Sequence, residues 1–181
     1  MDERLEDYVD VHLTPEETAQ ADHIALLRRQ AALQHKRNHD GHFRGWDADL
    51  SKEKLGVRCE MAAKKWLDPV SWVSFVEGER IGHQPDLADF IDVKGTRYAE
   101  AGKGNLILRP RSWDHREWAY LHVVGEYHPH YVITGWCWGY EGMTLPYYNR
   151  VSGNWEIPPK HLRGPDGLIE IVRERQANGG T

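Results

Sequence analysis

PDLADFIDVKGT, residues 85–96, decides how this chain is read. In an extended strand successive side chains alternate between faces, so Asp92 and Lys94 share one face and Val93 points to the other. A carboxylate beside an ammonium sets a hard oxygen ligand next to a group able to hold a water or a phosphate oxygen. The Val93 carbonyl between them offers another oxygen. Asp86 lies across the preceding turn, after Pro85, where it can close on the same ion. Two carboxylates, a carbonyl, waters and a phosphate suit the octahedral oxygen preference of magnesium. Each member also has an ordinary use: Asp86 after a proline is good turn chemistry, and Asp92 with Lys94 can be a solvated strand face.

At 181 residues the chain fits one domain with room for a real core. Its 40% hydrophobic share is that of a folded globular protein. No apolar run approaches the roughly 20 residues of a membrane span. The opening MDERLEDYVD is acidic where a secretory signal would be basic and then apolar, so a cytoplasmic location is expected. Cys59 and Cys137 sit in no CxxC pair and read as buried thiols.

The net charge of −5 is unevenly placed. Residues 1–24 carry −7, which leaves +2 for the remainder. Arg97, Lys103, Arg109, Arg111 and Arg116 follow the opening stretch closely, against only Glu100 and Asp114. The acidic total therefore does not count against a nucleic-acid substrate.

Thr14-Pro15-Glu16-Glu17 predicts a helix start with a capping box, running to about Arg37. A second helix is expected from Ser51 to about Leu67, with Leu55, Cys59, Ala62, Ala63 and Trp66 at helical spacing. Asp68-Pro69 ends it. Short β-branched and aromatic runs follow at 72–76, 90–95, 105–109, 118–124 and 131–138, with a turn at 127–130 joining the last two. A closing helix is expected over 168–175. The order predicts an α+β fold with a mixed or antiparallel sheet. Residues 1–45 read as an acidic N-terminal arm and helix, and 46–181 as the main domain.

The motif resembles the PD-(D/E)xK nuclease superfamily, the restriction-endonuclease-like fold. Gly56-Val57-Arg58-Cys59-Glu60-Met61-Ala62-Ala63 looks like the helix that often supplies that family with a further glutamate. The likeness extends through GNLILRP, LHVV, YVITGWCWG and WEIPP, over roughly residues 50–175, and is strongest to small phage-type and environmental members. It implies a restriction-endonuclease-like core with a mixed central sheet flanked by helices, and a Mg2+-dependent DNA endonuclease with Mn2+ as a substitute. The implied catalytic set is Glu60, Asp86, Asp92 and Lys94. The metal would be held by Asp86, Asp92, the Val93 carbonyl and Glu60. Thr96, Arg97, Lys103, Arg109 and Arg111 would meet DNA. A homodimer and a bacterial or phage-infected cytoplasm are further implications. The spacing from Asp86 to Asp92 is shorter than in most members, and Asp89 competes as first acid, although strand parity puts it opposite Asp92.

Two other readings stand beside this one. A nuclease fold that binds nucleic acid or a protein without cutting fits the acidic N-terminus. A histidine-metal hydrolase would need His122, His128 and His130 to converge, with Pro129 between the last two. His83, three residues before Asp86, reads as a surface loop residue. Trp46, beside Arg44, is a candidate for stacking on a base, whereas Trp136 and Trp138 read as core. Gly102-Lys103-Gly104 lacks the spacing of a phosphate-binding P-loop.

Overall fold

A computed structural model describes residues 8–36, 46–67, 85–97, 104–110, 115–125 and 129–178. The expected strand at 72–76, together with His83, Lys103, Arg111 and His128, lies outside these residues, as does the side chain of Trp46.

The chain enters through a strand, β1 (Val9–His12), and a 22-residue helix, α1 (Pro15–Lys36). Thr14 and Glu17 form the predicted capping box: the Thr14 amide donates to Glu17 Oε2 at 2.7 Å, and the Glu17 amide to Thr14 Oγ1 at 3.2 Å. Helix α2 (Trp46–Leu67) begins five residues before the expected Ser51. Then come β2 (Ile91–Thr96), β3 (Leu106–Leu108), β4 (Ala119–Val124) and β5 (His130–Trp138). A single helical turn, α3 (Gly139–Gly142), leads to the hairpin β6 (Tyr148–Asn149) and β7 (Asn154–Ile157). Helix α4 (Asp166–Ala177) closes the described chain.

Among the described residues four strands form a mixed sheet in the order β1-β5-β4-β2. β2 runs parallel to β4, while β5 is antiparallel to both β4 and β1. A smaller antiparallel sheet has the order β3-β7-β6. The protein is thus α+β with helices and a mixed sheet.

The two faces of the main sheet are used differently. Ile91, Val93, Ala119, Leu121, Ile133 and Trp136 belong to one core cluster with residues of α1, α2 and α4. Gly95 lets α2 come close: a Cβ there would stand 2.9 Å from Cys59 Sγ. On the other face, Tyr120 and Cys137 pack with Leu106, Leu108 and Ile157 of the small sheet. At the end of α4 the Arg175 guanidinium lies 3.8 Å over the Phe90 ring, tying that helix to the start of β2.

The N-terminal segment, expected as an appended arm, shares this core. β1 pairs with β5, and Val11, Leu13, Ala21, Ile24 and Ala25 are buried in the same cluster as α2 and β2. β1 was not expected from sequence because its four residues, VDVH, are half polar and bury only Val11. Its backbone partner on β5, rather than its own pattern, makes it a strand.

Candidate active site

β2 is the last strand of the main sheet among the described residues. The chain reaches it through a tight reversal in which Leu87 and Ile91 exchange backbone hydrogen bonds, each at 2.9 Å. Ala88 (φ 49°) and Asp89 (φ 57°) make the bend in the left-handed region. That conformation costs a residue with a side chain about 1–2 kcal/mol, offset here by the two hydrogen bonds and the burial of Leu87, Phe90 and Ile91. The bend carries Asp86 back alongside β2. Its Oδ2 accepts a 2.6 Å hydrogen bond from the Val93 amide. Covalent geometry puts that amide nitrogen about 2.4 Å from the Asp92 Cα, so the Asp86 carboxylate oxygen is within about 5 Å of that Cα. The short spacing in sequence is thus enough. Asp89, by contrast, is exposed at the bend, while Asp86 is buried.

In a strand the N–H and C=O of one residue point to the same edge, so the Val93 carbonyl faces the side on which Asp86 lies. Asp92, Lys94 and Thr96 stand on one face of β2, opposite in register to Tyr120, His122 and Val124 of β4. Lys94 Nζ lies 2.5 Å from Asp92 Oδ2, and 5.3 Å from the centre of the Tyr120 ring. The Asp92 side chain is 11% exposed and that of Lys94 is 28% exposed, so water reaches the ammonium while the carboxylate is shielded. Asp86, Asp92 and Lys94 are therefore brought together at one edge of the sheet.

Glu60 is differently placed. Arg28 Nη1 donates to both of its carboxylate oxygens, at 3.0 and 2.8 Å, with both side chains about one-tenth exposed. This ion pair ties α1 to α2. Among the described residues no three His, Cys, Asp or Glu side chains come together as a group able to hold a metal. Asp86, Asp92 and the Val93 carbonyl are the oxygen donors the site offers, which suits a cation that keeps several waters.

The expected nucleic-acid contacts are spread out. Thr96 is half-buried beside His122, Arg97 donates to Ser51 Oγ at 3.0 Å on the surface, and Arg109 is exposed just past β3. Lys103 and Arg111 lie outside the described residues.

His122 and Thr134 belong to the same face and were not legible as a pair. His122 is wholly buried; its Nδ1 is 2.7 Å from Thr134 Oγ1 and its Nε2 3.0 Å from Thr96 Oγ1. Burial pushes the imidazole down to about 4, so it is neutral at pH 7. His130 is exposed at the far end of β5, five residues from the Gly135 that faces His122, a separation of about 16 Å along a strand. These two histidines do not converge, and with both His122 nitrogens engaged they do not build a shared metal site.

No known family model matches the chain, and neither a curated protein nor a solved structure matches it. Among the described residues no helix is long and apolar enough to cross a membrane.

Proposed function

We propose that this protein is a magnesium-dependent DNA nuclease with a restriction-endonuclease-like core. The observation that carries the reading is the return of Asp86 onto the Val93 amide, beside the Asp92–Lys94 pair. Asp86, Asp92 and the Val93 carbonyl would hold Mg2+, or Mn2+ in its place. Such an ion, when bound, polarises a phosphoryl oxygen and makes hydroxide available at neutral pH. Lys94 orients the attacking water and balances the charge that grows on the phosphate. Asp92 keeps the ammonium in position for this. Thr96 offers a hydroxyl to the phosphate from the same face, and Arg97 and Arg109, with Lys103 and Arg111, meet the DNA backbone. Glu60 serves as a third carboxylate only if Arg28 releases it.

That last point favours a second reading, a protein of this fold that binds nucleic acid or a protein without cutting it. One experiment separates the two. Purified protein is incubated with supercoiled plasmid in magnesium and in EDTA, with Lys94→Ala in magnesium as the third arm. Nicking or linearisation by the wild type, lost in both controls, is expected. If plasmid, single-stranded and branched DNA all stay intact with magnesium and with manganese, the nuclease reading is abandoned for the binder.

A further inference from the structure

β4 and β5 pair with a register shift: His122 faces Gly135, but the next residue, Val123, faces Ile133. Thr134 is the extra residue, and such a bulge re-aims the side chain it carries. Here it brings the Thr134 hydroxyl within 2.7 Å of His122 Nδ1. Gly135 lies next to the bulge. It sits at φ +142°, and a Cβ there would stand 2.5 Å from the Arg163 carbonyl oxygen. The sheet distortion and the threonine thus fix one edge of a buried ring, while the glycine beside them admits the Arg163 backbone. The opposite edge of that ring points across β4 to β2. There Nε2 is 3.0 Å from the hydroxyl of Thr96, two residues beyond Lys94 on the face that carries Asp92.

We infer that His122 is a positioning residue: Thr134 donates to Nδ1, the Nε2–H donates to Thr96 Oγ1, and the Thr96 proton is thereby directed outward to an anionic phosphate oxygen. A neutral imidazole has one N–H and one bare nitrogen, so the two hydroxyls lie at its opposite ends with opposite roles. With its oxygen already accepting from Nε2, Thr96 does not donate back to that nitrogen and turns its own proton elsewhere. Thr96 is half-buried, whereas His122 has no exposed surface. The histidine therefore acts through Thr96. The inference rests on the nuclease reading above and deepens it: the chain lowers the barrier with a neutral donor prearranged beside the charged Lys94.

Two readouts test it. Long-range 1H–15N correlation spectra of the free protein report the His122 tautomer without any need for activity. The Nε2–H form is expected, and the Nδ1–H form or an imidazolium at pH 7 would overturn the inference. Plasmid cleavage kinetics supply the second readout. Thr96→Val and His122→Phe are each expected to lower kcat by about 10- to 100-fold, less than loss of the charged donor Lys94. KM should stay nearly constant. The double variant should be no slower than Thr96→Val alone, because both changes remove the same donor. His122→Gln keeps an N–H near the Nε2 position and should recover most of the rate. It also guards against a His122→Phe protein that merely fails to fold, which thermal unfolding detects. Equal rates for wild type, His122→Phe and His122→Gln overturn this inference and leave the nuclease intact. A wild type that cuts nothing removes the nuclease reading and this inference together.

Discussion

The α1–α2 seam and the polar face of β2 both withdraw charge from water, and they do it in opposite ways. In the seam three cations meet fitted carboxylates. Arg28 grips both oxygens of Glu60, Arg58 donates to both oxygens of Asp22 at 2.7 and 2.8 Å, and Lys65 reaches Glu17 at 2.7 Å. Burial alone would raise the Asp22 pKa, but the hydrogen bonds and charges of Arg58 and Lys54 hold it below the usual carboxylate value. Such closed pairs hold helices in register. On β2 the arrangement stays open. Asp92 is shielded, Lys94 reaches solvent, and Asp86 accepts a hydrogen bond from the Val93 amide. A buried charge is thus not in itself a sign of chemistry; what matters is whether its partners leave an accessible side for a third party.

The contrast can be broken experimentally. The largest expected effect belongs to the seam: Arg28→Ala leaves the Glu60 carboxylate buried without its guanidinium and should cost about 3–5 kcal/mol of stability. Urea unfolding measures it, and a loss below about 1 kcal/mol would mean the fork is solvated and Glu60 is available after all. Next, Lys94→Ala should slow plasmid cleavage by roughly 10²–10³-fold and lower the melting temperature less than Arg28→Ala does, because Lys94 is the more exposed cation. A large drop in melting temperature with normal cleavage would turn β2 into another structural pair.

His122 gives a third test, through pH. Its pKa in the folded protein lies near 4, below the 6.5 of a free histidine. Between those values the unfolded chain binds a proton that the folded protein refuses, so stability falls as the pH drops from 6.5 to 4, by about 3 kcal/mol. Above pH 6.5 this contribution is fully present. Urea midpoints at pH 7 and pH 4.5 should differ in the wild type, and less in His122→Gln; an equal dependence in both would place the titration elsewhere. The smallest effect is Thr14→Ala, which removes the hydroxyl that caps α1. It should cost about 1 kcal/mol, visible as a small shift of the same midpoint without change in cleavage.

Much of this fold is written locally. The capping box at Thr14 and Glu17, the apolar spacing of α2, and the β-branched runs of β2, β4 and β5 all depend on neighbours within a few residues. The alternation that puts Asp92 and Lys94 on one face is equally local. The site was legible to that extent: an acid, a strand and an acid-x-Lys triplet. Glu60 was legible as the further glutamate that the resemblance implies, but its partner Arg28 is 32 residues away on another helix. The strand β1 was hidden for a similar reason, since VDVH has too few apolar residues to announce itself.

The sequence by itself determined the helices α1 and α2, the strands β2, β4 and β5, and the order of charges along β2, because propensity, capping and side-chain alternation act over one or two turns of chain. Only the tertiary structure decided that β2 lies parallel to β4, that a bulge turns Thr134 onto His122, and that the left-handed bend at Ala88 and Asp89 returns Asp86 to Val93. Those depend on strand register and on backbone hydrogen bonds between distant segments. Many sequences satisfy such contacts, so no local pattern signals them; they exist only once the sheet has assembled.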